Sequence, residues 1–67
     1  MPIHVNLDQL LKERHIKAKD LALAIDITEA NLSILKSGKA KAIRFTTLEA
    51  ICQALNCQPG DIIEYIP

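Results

Sequence analysis

Cysteine is scarce in this 67-residue chain, and the two present, Cys52 and Cys57, have no second pair and no histidine cluster beside them. A structural zinc site needs four Cys/His ligands in paired spacings, which His4 and His15 do not complete. No metal site is expected, and a disulfide is not favoured; the thiols read as small core side chains in a reducing cytosol. Long apolar runs are missing too. Nothing approaches the ~20 residues that span a bilayer, and the N-terminus lacks a signal-peptide pattern, so a soluble, cytoplasmic protein is expected. Net charge is also absent, eight basic residues against eight acidic, which argues against a nonspecific polycation. There is no glycine-rich phosphate loop, no paired carboxylates in one predicted cleft, and no serine or cysteine at a recognisable spacing from a histidine. An enzyme is therefore not expected, and no cofactor is called for. Without repeats, linkers or low-complexity stretches, residues 1–67 read as one domain, too short for a second core. Such a chain buries only ~60% of its unfolded surface, so stability should be modest, and a partner subunit is the one supplement left open.

What is present is an uneven distribution of charge. Residues 1–27 balance, with Lys12, Arg14, Lys17 and Lys19 against Asp8, Glu13, Asp20 and Asp26. Residues 28–44 carry Lys36, Lys39, Lys41 and Arg44 against Glu29 alone, and residues 45–67 hold only Glu49, Asp61 and Glu64. One face suited to an anionic partner accounts for this polarity; so does a lysine-rich solvated loop.

Hydrophobic spacing is helical almost throughout. Asn6 predicts an N-cap with Gln9 completing a capping box, followed by the stripe Leu7, Leu10 and Leu11 and an end near Arg14 and His15. A second helix is predicted from about Ala18 to Ile25, burying Leu21, Ala22 and Ile25. Asp26-Ile27-Thr28 breaks the pattern, with Thr28 as the next N-cap and Ile27 as a staple. The third helix runs from Glu29 to about Ser37. It turns Leu32 and Leu35 inward, puts Ala30, Ser33, Ile34 and Ser37 on the other side, and stops at Gly38. A fourth is predicted to start with Thr46 as N-cap and Glu49 as its box partner, burying Leu48, Ile51, Cys52 and Leu55. A last helical turn or two follows Gln58-Pro59 and carries the apolar end Ile62, Ile63, Tyr65 and Ile66. No strand is expected.

Residues 17–38 form a short helix with an alanine at its crossing point, a three-residue turn, and a second helix ending at glycine. This is the layout of a helix-turn-helix, whose second helix fits a major groove ~12 Å wide. The segment from Lys17 to Ile63 resembles the Cro/phage-repressor (XRE-like) family of bacterial and phage regulators. The resemblance rests on Leu21-Ala22, Ile25, Ile27-Thr28, Leu32, Leu35, Gly38, Leu48, Leu55 and Asp61-Ile62. It implies an all-α, compact five-helix, lambda-repressor-like domain that binds double-stranded operator DNA, usually as a homodimer.

The same resemblance implies base-side contacts at Thr28, Glu29, Ala30, Asn31 and Ile34, and contacts at the start of the second helix at Lys17, Ala18 and Lys19. Asn31 can pair with an adenine edge and Glu29 can accept from a cytosine amino group; Ala30 and Ile34 offer only contact with a thymine methyl. Lys39, Lys41 and Arg44 suit phosphates, as do Ser33 and Lys36 if their orientation allows. Departures from the family pattern are Asp26 for the usual turn glycine, Lys17 for a Ser/Thr cap, and Lys36 for an acid that relatives pair with an arginine of the first helix. Leu11 stands at the arginine's position, so that ion pair is expected to be absent. Ala30 and Ile34 also stand where polar residues are common. Ile62, Tyr65 and Ile66 are the candidate dimer surface, with core packing as the alternative for that segment. A protein-interaction module, such as an antitoxin or adaptor, is the second functional reading, with the same apolar tail as its docking surface.

Overall fold

Residues 3–67 are described by a computed structural model; the first two residues of the expected 1–67 unit lie outside it. Five helices are found among the described residues: α1 (Leu7–Glu13), α2 (Ala18–Ala24), α3 (Glu29–Lys36), α4 (Phe45–Leu55) and α5 (Pro59–Ile62). None is long and apolar enough to cross a membrane. The predicted inward faces meet in a single cluster, in which Leu7, Leu21, Leu32, Ile51 and Ile62 are the most deeply buried side chains.

Four helices end in the same way. A residue in the left-handed region, His15, Asp26, Gly38 or Asn56, follows each of α1 to α4. The next amide then reaches back five residues: Ile16 to Leu11 (3.0 Å), Ile27 to Ala22 (3.0 Å), Lys39 to Ile34 (3.2 Å) and Cys57 to Cys52 (3.0 Å). These are Schellman closures, which satisfy carbonyls left open at the helix end and favour an apolar pair between the residues so joined. Ile16, Ile27 and Cys57 supply that pair and pack on the core. After α3 the position falls to Lys39, which is exposed.

Three expectations need correction. The fold is not wholly helical: β1 (Ile3–Val5) and β2 (Ile63–Tyr65) pair antiparallel, with Ile3 opposite Tyr65, His4 opposite Glu64 and Val5 opposite Ile63. The apolar end is therefore not a helical tail. Ile63 turns extended at φ −129°, ψ 145°, and its run of large apolar residues suits a strand once a partner is available. Ile62 is 0% exposed and sits in the core, so it leaves the candidate dimer surface.

The capping boxes expected for α1 and α4 do not form. Asn6 gives its side-chain amide to Glu64 Oε1 on β2 (2.9 Å), and Gln9 donates to Glu13 (3.3 Å). α4 begins at Phe45 after an extended Arg44, one residue ahead of Thr46. The box that is present belongs to α5, where Asp61 Oδ2 accepts from the Gln58 amide at 2.9 Å and Pro59 holds the first position.

Candidate nucleic-acid interface

The α2–α3 pair is set by its turn. Asp26 adopts φ +58°, a conformation that suits Asp better than most side chains. Ile27 then packs toward the core, and Thr28 leaves in extended geometry (ψ 153°) to cap α3. Its hydroxyl oxygen accepts from the Asn31 amide at 3.1 Å, so the first turn of α3 is held by a side chain. By contrast Lys17, at the N-cap of α2, makes no such bond.

Leu32 and Leu35 fix α3 against the core, and this decides what its other face presents. Thr28, Glu29, Ala30, Asn31, Ser33 and Ile34 are all exposed. Beyond its amide the Asn31 side chain has no hydrogen-bond partner among the described residues. Asn31 and Ile34 share one wall of an open cleft of about 400 Å³, whose other walls include Ile27, Ala42, Arg44 and Thr47. Four of the residues named for base contact or backbone contact are thus brought to one side: Asn31, Ile34 and Arg44 in the cleft, and Ala30 one turn before Ile34. Lys39 and Lys41 are exposed on the loop that forms the far wall, and Lys17 and Lys19 are exposed at the start of α2.

Lys36 behaves differently from the other cations. Its Nζ lies 3.5 Å from Asp8 Oδ1, and the same carboxylate meets Lys12 Nζ at 3.3 Å. Hydrogen bonding and charge from Lys12, with a smaller share from Lys36, hold the Asp8 carboxyl below the usual carboxylate range. An ion pair between the first and third helices is therefore present, with its acid on α1 at Asp8 and its base on α3. The pair occupies the lysine and ties it to α1.

Sequence reasoning missed the cleft itself. Ile27, Ala42 and Thr47 line it from three separate segments, and the one sequence signal for it is the alternation of Ala40 and Ala42, which line it, with Lys39 and Lys41, which do not. Phe45, 86% exposed beside Arg44, was also missed. The remaining candidates, Tyr65 and Ile66, are exposed near the C-terminus, with Tyr65 paired to exposed Ile3. Both cysteines are free and half-buried; burial, and then the neighbouring Cys52, push the Cys57 thiol up.

Comparison with known proteins agrees with this geometry. Residues 6–67 match the model of the Cro/C1-type HTH DNA-binding domain. Over 65 residues the chain is 60% identical to the uncharacterized HTH-type transcriptional regulator YozG of Bacillus subtilis (strain 168), covering 97% of this chain and 77% of that protein. Among solved structures, that of the transcriptional regulator VanUg (form II) superposes with a TM-score of 0.76 at 36% identity, covering all of this chain and 91% of that one. A helix-turn-helix with a capped, outward-facing second helix, matched over nearly its whole length, places this chain in the family of Cro/C1-type helix-turn-helix DNA-binding domains of transcriptional regulators.

Proposed function

We propose that the protein is a sequence-preferring transcriptional repressor that seats α3 in the major groove of duplex DNA in the cytoplasm. The observation that carries this is the exposed face Ala30–Asn31–Ile34, whose side chains make no hydrogen bond among the described residues, with Arg44 across the cleft and exposed Lys39 and Lys41 on the same loop. Asn31 offers a bidentate donor–acceptor pair to adenine, and Glu29 an acceptor to cytosine. Lys39, Lys41 and Arg44, with Lys17 and Lys19 across the unit, supply the phosphate contacts that fix register. Ser33 adds a hydroxyl on the same helix. Lys36 serves to hold α3 on α1 through Asp8 instead of meeting a phosphate. On DNA two copies bind as a homodimer, with Tyr65, Ile66 and the adjoining Ile3 as the self-complementary patch.

Fluorescence anisotropy with the duplex upstream of the protein's own gene and with a scrambled duplex, across a salt series, tests this reading. Tighter binding to the native duplex with a steep salt dependence is expected. Replacing Lys39, Lys41 and Arg44 together by alanine should weaken binding to both duplexes and reduce the log–log salt slope by about 0.9 for each lost phosphate, roughly 2.7 in all. Equal binding to both duplexes refutes sequence preference. Absence of binding at low salt shifts the function to the Ile3–Tyr65–Ile66 patch and a protein partner such as a toxin.

A further inference from the structure

Ile34 is exposed for a structural reason. At the ends of α1, α2 and α4 the residue that closes the Schellman turn is apolar (Ile16, Ile27, Cys57) and packs on the core with its partner five residues back. At the end of α3 that closing residue is Lys39, which points into solvent and leaves its partner, Ile34, 49% exposed. About half of this side chain is left uncovered by the described residues, and it lies on the outward face between Ala30, one turn before it, and Arg44 across the cleft.

A branched hydrocarbon there has no donor or acceptor to give to a base edge. In the major groove the one apolar group on a base edge is the C5-methyl of thymine. Asn31 and Ile34 are three residues apart, ~4.5 Å along the helix axis, against ~3.4 Å for one base-pair step. When Asn31 holds an adenine, Ile34 therefore faces the same or the adjoining pair.

Resting on the DNA-reading role above, we infer that Ile34, backed by Ala30, reads the C5-methyl of a pyrimidine next to the adenine held by Asn31. A methyl on cytosine occupies the same place as that of thymine. The two pyrimidines differ at the neighbouring exocyclic group, an acceptor in one and a donor in the other, and Ile34 has no polar atom with which to tell them apart. The position thus selects for the methyl group, and 5-methylcytosine substitutes for thymine there.

The test starts from a pool of duplexes with a randomised centre, from which the full chain selects its preferred site. Each thymine of the selected site is then replaced in turn by deoxyuridine, which removes only the methyl; at the position that responds, cytosine and 5-methylcytosine, each paired with guanine, are compared. One position in each half-site is expected at which deoxyuridine weakens binding about fourfold, the worth of one buried methyl group. There 5-methylcytosine should bind several-fold better than cytosine, and Ile34→Ala should flatten both differences. Indifference to uracil at every thymine, or a methyl effect of the same size in Ile34→Ala, overturns the inference while leaving the regulator reading intact. Failure to enrich any sequence overturns both.

Discussion

Gly38 and Gly60 allow the torsional part of this fold to be measured apart from packing. A Cβ built at either position meets nothing within 4 Å, so alanine creates no clash at either. They differ in backbone: Gly38 closes α3 at φ +80°, whereas Gly60 lies within α5 and not in the left-handed region. Placing an L side chain in left-handed geometry costs roughly 1–2 kcal/mol. Alanine also lowers the entropy of the unfolded chain, which offsets about 0.4–1 kcal/mol at both positions. Gly38→Ala should therefore destabilise by about 1 kcal/mol and Gly60→Ala should stabilise by about 0.5 kcal/mol. Unfolding entropy near 2.1 cal/mol/K per residue gives about 0.14 kcal/mol/K for 67 residues, so each kcal/mol moves Tm by about 7 °C. Thermal melts followed by circular dichroism, with urea titrations for ΔG, should show a fall of about 7 °C in the first variant and a rise of about 3 °C in the second. Shifts of the same sign, or a Gly38→Ala protein within about 0.3 kcal/mol of wild type, refute the torsional account of the α3 end.

Thr28→Ala removes the hydroxyl that receives the Asn31 amide and should cost about 1 kcal/mol, with Thr28→Ser restoring most of it; equal stability of all three proteins would show the cap to be idle. Ile62→Ala opens a fully buried site and should cost about 2–5 kcal/mol in urea unfolding, while Ile66→Ser stays within about 0.5 kcal/mol at concentrations where the chain is monomeric. Because burial raises the Cys57 thiol, the thiol form is favoured in the folded chain. Its share of stability is present below the ordinary thiol range and is lost as pH rises through the raised folded value. Iodoacetamide labelling at pH 8, mapped by mass spectrometry, should modify Cys57 more slowly in the native protein than in urea, and equal rates would contradict its placement.

The helices were legible because their cause is local. Leu21 and Ala22, Leu32 and Leu35, and Leu48, Ile51 and Leu55 repeat at helical spacing, and each lies where that spacing points. Thr28 and Gly38 mark the two ends of α3 through bonds within a few residues of themselves. The sheet was not legible, since three residues at each end have no period to read and pair only because the fold joins segments about sixty residues apart. Asn6 holds the N-cap position of α1 but gives it no side-chain bond, for the same reason: its amide finds Glu64, 58 residues on, once β1 and β2 meet. The start of α4 was misread where two local signals compete. Thr46 with Glu49 has the form of a capping box, yet Ile43 packs on the core and Arg44 leaves it extended, so the helix begins directly at Phe45.

The α3 helix shows how the candidate site emerges from these same bonds. Its N-terminal turn is fastened by the Thr28 hydroxyl, its inner face by Leu32 and Leu35, and its last turn by Lys36 through Asp8. The polar groups that hold the helix are partly engaged in doing so: the Thr28 oxygen accepts from an amide, and Lys36 meets a carboxylate that also holds Lys12. Ala30, Asn31 and Ile34 on the helix, together with Glu29 and Ser33, and Lys39, Lys41 and Arg44 on the loop that follows are exposed and make no side-chain hydrogen bond or ion pair among the described residues. Lys39 stands where the other helix ends place a core-seeking residue, and the chain returns to the core one residue later, at Ala40, and again at Ile43. With no apolar closing residue against it Ile34 stays 49% exposed, and Lys39 and Lys41 flank Ala40 on the solvent side of the loop. A single residue type at the end of one helix thereby leaves an apolar side chain of α3 outside the core on which the rest of the fold converges.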